Sequence, residues 1–251
     1  YIIRYLFTCK ENKKNLMSIN YSHNNIYSNK SRCNLQFGCR MMAFINSKNP
    51  SQEDRDVRTD LLEDNQHSLK QQSKKGVCLE KSLSSSGNPD GWGMVSYQGE
   101  NNTPNIIKNP YPAYLDFDYI KTVKNFNNGK ILMAHIRKAS TGSINKENCH
   151  PFTYKNWCFK HNGKVAAALS PEFQEKINGK YSQILNDKPK GKTDSESMFY
   201  YFLGRMKETY GTTNTKEIGF DKVKNIFAKS MTELVKDKSA SCNVILSDGE
   251  N

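Results

Sequence analysis

The sequence lacks any apolar run that approaches the roughly 18 residues a membrane-spanning helix needs. Its middle also lacks the kind of stretch that links separate domains. A chain of 251 residues can bury one large core. We therefore predict a soluble protein with a single folded domain and no membrane partner.

Regularly spaced cysteine pairs are also missing. The chain has seven cysteines, an odd number at irregular spacings, and it has no secretory hydrophobic segment. This pattern does not fit the disulfide framework of a small secreted protein. We therefore expect a reducing compartment and predict a cytoplasmic protein.

The basic charge is not concentrated in one place. The formal net charge is +12, but there is no arginine cluster and no stripe of basic and aromatic residues. Such a cluster or stripe would be expected of a nucleic-acid-binding surface. Enrichment in lysine and asparagine more often reflects a solvated face, and we predict no nucleic-acid partner.

Acidic residues are nearly absent from residues 1–38, which hold six basic residues and only Glu11. This stretch shows no sustained helical or alternating period, so we expect it to lie outside the core. A leader or propeptide, an organellar transit peptide, a disordered extension and a mis-assigned start all fit, and a transit peptide would change the compartment. Because the chain does not begin with Met, we expect further residues upstream. The folded domain is predicted to span 39–251.

Apolar periodicity predicts an α+β layered domain. Thr193 and Glu196 form the pattern of a capping box, in which Thr193 accepts from the amide three residues on and Glu196 reaches back. Apolar residues at helical spacing predict a second helix over 220–235, with Asp221 at its amino end. The other predictions are strands over 39–46, 91–97, 131–136, 157–159 and 242–246, and helices over 58–72, 116–126 and 193–209.

Two of the predicted strands end in polar residues. The first delivers Arg137 to a Ser/Thr/Gly turn, and the second delivers His161, Asn162 and Gly163 to another turn. A guanidinium together with an amide and a glycine backbone suits binding of a carboxylate while a developing oxyanion is stabilised. An Asn-Gly pair alone is more often a plain hairpin turn.

The stretch from His135 to Gly163 resembles the glutaminase domain of class II glutamine amidotransferases, a branch of the N-terminal-nucleophile hydrolases. Four further motifs match in the family's order: GCRMMAF at 38–44, NPDGWG at 88–93, TDSE at 193–196 and CNVILSDG at 242–249. Any one of these motifs is a weak signal, but five in order are specific. The likeness is greatest to small stand-alone members without a fused synthase domain.

The resemblance implies a four-layer αββα sandwich, in which two antiparallel sheets are flanked by helices. In the family the sheet continues past the position of the last predicted strand. We therefore expect this chain to be truncated at its C-terminus and to lack edge strands.

By the same resemblance Cys39 is the nucleophile, and its own α-amine is the base that activates the thiol. The amine exists only if the peptide bond before Cys39 is broken. In the small relatives an initiator Met occupies the position of Gly38 and is removed. Other members of the superfamily cut a propeptide by attack of the nucleophile on the preceding carbonyl. We therefore predict cleavage between Gly38 and Cys39, with an uncut chain inactive; the alternative is a buried, unreactive cysteine.

The resemblance also assigns the oxyanion hole to the side chain of Asn162 and the backbone amide of Gly163. Arg137 would bind the α-carboxylate of a glutamine-like substrate in a bidentate pair. Asp194 would pair with the α-ammonium, although most aspartates at such a position only stabilise the helix end.

Two further residues are assigned less directly. Ser140 aligns with a family threonine that contacts the substrate carboxylate, so a role in binding is implied. His150 lies near the substrate pocket in relatives, and a hydrogen-bonded structural histidine is equally consistent with the sequence.

The implied reaction is hydrolysis of the γ-amide of glutamine or of a γ-glutamyl amide through a γ-glutamyl thioester, with no metal and no organic cofactor. One alternative is a glutaminase subunit that supplies ammonia to a separate synthase; a peptidase-like protein partner is also open. Another is an inactive pseudoenzyme or binding protein with an unprocessed leader.

A zinc-binding module is a reading from a different class of function. The residues Cys149, His150, Cys158 and His161 are close enough in sequence to suggest a Cys₂His₂ site. A strand between the two pairs would point Cys158 and His161 to opposite faces, which disfavours this reading.

Overall fold

The computed structural model describes residues 39–46, 49–75, 87–99, 102–236 and 240–250, together with the backbone of residues 3–7. These residues form two four-stranded sheets in which every strand pair is antiparallel. None of the helices in the described ranges combines the length and the apolar character needed to cross a bilayer.

The first sheet has the strand order β2-β5-β3-β4. Its central strands are β3 (Trp92–Tyr97) and β5 (Ile131–Ile136), and both are buried along their whole length because each face is covered. The edge strands are β2 (Arg40–Ile45) and β4 (Pro104–Asn109). Strands β2, β3 and β5 confirm the predictions, whereas β4 was not predicted.

The second sheet has the order β1-β8-β7-β6. Strand β7 (Trp157–Lys164) forms a hairpin with the short β6 (Phe152–Tyr154), which was not predicted, and pairs on its other side with β8 (Ser241–Ser247). The fourth strand, β1 (Ile3–Phe7), pairs with β8.

Strand β1 belongs to the stretch that was expected to lie outside the core, but its five residues pair with β8 in the second sheet. A segment this short cannot show a sustained period, and pairing occupies backbone groups of β8 that an open sheet edge would leave exposed. The rest of residues 1–38, including Gly38, lies outside the described residues. Its role as a leader or propeptide stays a prediction.

Helices cover the outer face of each sheet, and the residues between the sheets form an apolar layer. The helices on the first sheet are α1 (Gln52–Thr59), which continues into a π-helical turn (Asp60–Asp64), α2 (Leu69–Lys74) and α3 (Phe117–Phe126). Those on the second are α4 (Pro171–Lys176), α5 (Ser182–Leu185), α6 (Asp194–Tyr210), α7 (Thr215–Ile218) and α8 (Phe220–Leu234), with short turns at Ala166–Leu169 and Ile177–Tyr181.

The apolar layer between the sheets holds Val95, Tyr97, Ile131, Met133, Cys158 and Ile245. The order helices, sheet, sheet, helices confirms the predicted α+β fold with four αββα layers. This arrangement leaves the ends of β5 and β7 and the start of β2 at one edge of the two facing sheets.

The predicted capping box of α6 is half right. Thr193 Oγ1 accepts from the amide of Glu196 at 3.2 Å, as expected. The Glu196 carboxylate does not return to Thr193 but accepts from the amides of Lys190 at 3.0 Å and Gly191 at 2.7 Å. It therefore fixes the loop that leads into the helix.

The helix predicted over 58–72 is in fact two helices with a break between them. A capping box of Ser51 and Asp54 starts α1 earlier than expected. Ser68 caps α2 by accepting from the amide of Gln71 at 3.3 Å, so residues 65–68 separate the two helices. The helices predicted over 116–126 and 220–235 are confirmed as α3 and α8.

Candidate active site

A side-chain hydrogen bond joins the two sheets next to the predicted nucleophile. Cys39 directly precedes β2, and the register of β2 with β5 places it beside Arg137. Asn162 lies in β7 of the other sheet, and its Nδ2 donates to the carbonyl oxygen of Cys39 at 2.5 Å. The fold thus brings together residues that are more than a hundred positions apart.

The thiol of Cys39 is half-buried and lies against the backbone of Lys138. The Lys138 amide donates to Sγ at 3.3 Å, and Sγ is 3.5 Å from the Lys138 carbonyl oxygen. Burial raises the pKa of the Cys39 thiol; the Lys138 hydrogen bond and the charge of Arg137 lower it, and the charge of Asp194 raises it. Because burial prevails, the thiol is protonated at neutral pH and needs a base to become a nucleophile.

Asn162 and Gly163 do not lie in a turn, and that part of the prediction is wrong. Strand β7 continues through Lys164 because its pairing with β8 extends to Ser241. Asn243 on β8 donates from its Nδ2 to the carbonyl oxygen of Asn162 at 3.1 Å. The side-chain amide of Asn162 is therefore carried by a regular β-strand and not by a hairpin turn.

Gly163 is needed for the close approach of β7 to β8. A Cβ atom at this position would lie 1.9 Å from the carbonyl oxygen of Ser241 and 2.8 Å from Nε2 of His161. Neither the backbone of β8 nor the buried histidine ring can move away easily. Any other residue would displace the strand that carries Asn162.

Arg137 is buried, with 3 % of its surface exposed, and its guanidinium binds its own loop. Nη1 donates to the carbonyl oxygen of Ser143 at 2.9 Å, and Nη2 donates to those of Thr141 at 2.7 Å and Gly142 at 3.4 Å. A guanidinium has five N–H donors, so a ligand carboxylate would use those that the loop leaves available.

Asp90 holds the backbone on either side of Lys138, directly after Arg137. Its carboxylate accepts from the amide of Ala139 at 2.7 Å, and its amide donates to the carbonyl oxygen of Arg137 at 3.1 Å. Asp90 belongs to the motif at 88–93, but the sequence alone assigned it no role in the site. Its place between Pro89 and Gly91, directly before a predicted strand, was the available signal.

Asp194 is the first residue of α6 and is buried. Its Oδ2 accepts from the amide of Val165 at 2.8 Å, and its Oδ1 accepts from the amide of Ser195 at 2.9 Å. The Ser195 hydroxyl lies 3.3 Å from Oδ1 and 2.9 Å from Nδ1 of His161. These contacts fix the carboxylate close enough for its charge to raise the pKa of Cys39.

Ser140 and His150, the two residues that were assigned less directly, lie in different surroundings. Ser140 is exposed at the start of the loop that Arg137 holds. His150 is buried, and its ring packs on His135 with 4.2 Å between centroids and on Phe152 with 4.7 Å. Burial lowers the pKa of His150 well below its usual value. His150 is thus a core histidine, but within the described residues neither of its ring nitrogens has a hydrogen-bond partner, so the alternative of a hydrogen-bonded structural histidine is wrong. Substrate binding by Ser140 and His150 stays a prediction.

Lys160 is a buried basic residue that no sequence motif identifies as part of the site. It lies two residues before Asn162 on β7 and has no exposed surface. In the described part of the chain its Nζ has no hydrogen-bond partner, and burial lowers its pKa to about 7. Burial also lowers the pKa of the neighbouring His135 well below its usual value, and the charge of Lys160 lowers it further. The layer next to the site thus holds two basic groups whose burial favours their neutral forms.

The geometry does not assemble the zinc site considered above. Cys158 belongs to the apolar layer between the sheets, whereas His161 faces α6 through Ser195. Within the described residues no three His, Cys, Asp or Glu side chains are grouped so as to hold a metal ion.

A family model described as "Glutamine amidotransferases class-II" matches residues 67–251. The match begins after Cys39, so it includes Arg137, Asn162 and Asp194 but not the candidate nucleophile.

Curated relatives give the same family. "Putative glutamine amidotransferase YafJ" of Escherichia coli is 30% identical over 165 residues, which is 64% of this chain and 57% of that protein. "Probable glutamine amidotransferase DUG3" of Saccharomyces cerevisiae is 30% identical over 122 residues, 46% of this chain and 33% of that protein. The chain thus spans between a third and little more than half of each of these two relatives.

Among solved structures, a glutamine aminotransferase class-II domain protein from Silicibacter pomeroyi aligns at 22% identity with a TM-score of 0.42, over 64% of this chain and 65% of that one. The family match over well more than half of the residues shows that this chain belongs to the class II glutamine amidotransferases.

Proposed function

We propose that this protein hydrolyses the γ-amide of glutamine or of a γ-glutamyl amide, with Cys39 as an N-terminal nucleophile. The observation that carries the proposal is the convergence of Cys39, Arg137, Asn162 and Asp194 at one edge of the two sheets. Asn162 contacts Cys39 directly, and the charges of Arg137 and Asp194 both act on the Cys39 thiol.

The first step forms a thioester. The α-amine of a processed Cys39 takes the proton of the thiol, and the thiolate attacks the γ-carbonyl carbon of the substrate. The resulting oxyanion is stabilised by the Asn162 side chain and the Gly163 amide. When the tetrahedral intermediate collapses, the C–N bond breaks and ammonia or an amine leaves with the proton held by the α-ammonium.

The second step regenerates the enzyme. Water gives a proton to the α-amine and attacks the thioester carbonyl, and the same two donors stabilise the second oxyanion. The C–S bond then breaks, glutamate leaves, and the thiolate of Cys39 recovers a proton. No redox partner is needed, because the overall change is the addition of water across an amide bond.

Substrate recognition uses the two charged ends of the amino acid. Arg137 offers a carboxylate its remaining N–H groups, and the buried carboxylate of Asp194 offers the α-ammonium a fixed counter-charge. Binding of both ends would leave only the γ-carbonyl within reach of the thiol. Release of the whole leaving amine would make γ-glutamyl amides substrates as well as glutamine.

The test combines intact mass with turnover. Purified full-length protein is analysed by mass spectrometry, and release of ammonia, amine and glutamate is measured on glutamine and on a panel of γ-glutamyl amides. We expect a chain that begins at Cys39 to be active, and the Cys39→Ala variant to be inactive. A variant with a specific protease site directly before Cys39 allows the α-amine to be freed on demand.

Three outcomes decide between the readings. A chain that begins at Cys39 but hydrolyses none of these compounds would contradict the proposed reaction. Turnover by an uncut chain would contradict the role of the α-amine. Ammonia release from glutamine alone, raised by a separate protein, would favour the role of an ammonia-supplying subunit.

A further inference from the structure

We propose that Asn148 sets the spacing between Arg137 and Asp194 and thereby makes the site specific for α-amino acids. The inference rests on the proposed function and adds to it a residue that contacts neither the substrate nor Cys39. Asn148 has 2 % of its surface exposed and lies between the two loops that carry the charged groups.

On one side Asn148 holds the loop bound by Arg137. Its Nδ2 donates to the carbonyl oxygen of Ser143 at 2.9 Å, and the same oxygen accepts from Nη1 of Arg137 at 2.9 Å. The guanidinium and the amide therefore share one acceptor. A shift of Asn148 would move the loop that orients the guanidinium.

On the other side Asn148 holds the segment that leads to Asp194. Its Oδ1 accepts from the amide of Lys192 at 2.9 Å, two residues before Asp194. The preceding residues, Lys190 and Gly191, are bound through their amides to the Glu196 carboxylate in the first turn of α6. The start of α6 is thus connected through one side chain to the Arg137 loop.

Gly142 and Gly191 lie so close to the Asn148 side chain that a Cβ atom at either position would clash with it. A Cβ at Gly142, which has a φ of +71°, would lie 2.8 Å from Nδ2 of Asn148. A Cβ at Gly191 would lie 2.3 Å from Oδ1. The amide is therefore packed from both loops, and its position is fixed by contact as well as by hydrogen bonds.

The consequence is chemical selectivity. The carboxylate and the ammonium of an α-amino acid are separated by a single carbon atom, so the groups that bind them must be held at a fixed separation to engage both. One hydrogen-bonded bridge between the two loops provides such a constraint. Compounds that carry only one of the two charged groups would bind no more tightly because of this fixed separation.

The test measures binding of the product and of two analogues to the full-length chain by calorimetry. L-glutamate carries both charged groups, glutarate lacks the ammonium, and γ-aminobutyrate lacks the α-carboxylate. Asn148→Ala removes both hydrogen bonds, and Asn148→Asp keeps the volume and the acceptor but loses the donor. We expect each variant to weaken L-glutamate binding about tenfold or more and the analogues much less. In turnover, KM for a γ-glutamyl anilide should rise with kcat little changed.

Asn127→Ala is the matched control. Asn127 is also a buried asparagine whose side chain joins two elements, with Nδ2 donating to the Arg55 carbonyl oxygen at 2.7 Å and to Thr59 Oγ1 at 2.9 Å, but it lies on the helical layer of the first sheet. The Asn127→Ala variant should have a lower free energy of unfolding but the same preference for L-glutamate over the two analogues. The comparison of the two asparagine variants therefore distinguishes a general loss of stability from a change in the distance between Arg137 and Asp194.

The inference is overturned if wild-type protein does not bind L-glutamate more tightly than both analogues, or if Asn148→Asp keeps the full preference. If the wild type shows the preference and the variants lose it while no γ-glutamyl compound is turned over, the spacing role stands and only the proposed reaction fails.

Discussion

The side-chain amide of Asn162 donates a 2.5 Å hydrogen bond to the carbonyl oxygen of Cys39, from one sheet to the other. The two residues are 123 positions apart in the sequence. This bond places a potential oxyanion donor next to the candidate nucleophile before any substrate is present. Preorganised donors of this kind cost no reorganisation when charge develops.

The first prediction concerns the donor itself. Asn162→Ala should lower kcat on a γ-glutamyl amide by about 100- to 1,000-fold, because one of two oxyanion donors is lost. KM should change little, since the donor acts on charge that develops only in the transition state. Asn156→Ala is a suitable control, because Asn156 Nδ2 donates to the Asp248 carbonyl oxygen, away from the site. Equal kcat in the Asn162 variant and the wild type would contradict the assignment.

The second prediction concerns the reactivity of Cys39 in an uncut chain. Burial raises the pKa of this thiol, so little thiolate is present at neutral pH. Alkylation by iodoacetamide should therefore be slower than that of glutathione at neutral pH and should accelerate as the pH rises. Peptide mass spectrometry follows Cys39 itself, and Cys39→Ala reports on the other cysteines. Labelling at neutral pH as fast as that of a free thiol would show that the thiol is already activated.

The third prediction concerns Lys160. Its pKa in the folded chain is about 7, against 10.5 for an exposed lysine, so between these values the unfolded chain binds a proton that the folded chain does not. The free energy of unfolding of the wild type should therefore rise with pH over this range. Methionine has a similar shape and no proton to bind. Lys160→Met should be more stable than the wild type near neutral pH, by about 1–4 kcal/mol.

Denaturant titrations at several pH values check this prediction. The stability gap between Lys160→Met and the wild type should have its full size below about pH 7 and should narrow as the pH rises toward 10.5. Because the two proteins share all other titrating groups, the difference between them isolates Lys160. A gap that does not change with pH would mean that Lys160 has its ordinary pKa in the folded state.

The fourth prediction compares two glycines. Gly163→Ala would place a Cβ 1.9 Å from the Ser241 carbonyl oxygen, so β7 and β8 must separate. We expect a loss of stability of about 1–3 kcal/mol or more, together with a loss of activity because Asn162 moves. Gly179→Ala meets no atom within 4 Å and should be neutral or slightly stabilising. Thermal unfolding of both variants gives the comparison, and equal melting temperatures would contradict the close approach at Gly163.

The sequence by itself determined the chemical character of the protein and most of its regular elements. Helical spacing and a threonine cap predicted α6 and α8, and apolar runs predicted β3 and β5, because these signals depend on neighbours along the chain. The ordered motifs identified the family, and with it the residue types of the site. The same local signals missed β6, which has only three residues, and β4, an edge strand that begins at Pro104 and shows no clear alternation of buried and exposed residues.

Only the tertiary structure decided how those residues are held. Pairing with β8 places Asn162 and Gly163 inside a strand and not in a turn, and the loop carbonyls already occupy part of the Arg137 guanidinium. The proposed role of Asn148 and the low pKa of Lys160 have no local signal in the sequence. Both arise from contacts and burial between segments far apart in the chain, and no pattern of neighbouring residues records these.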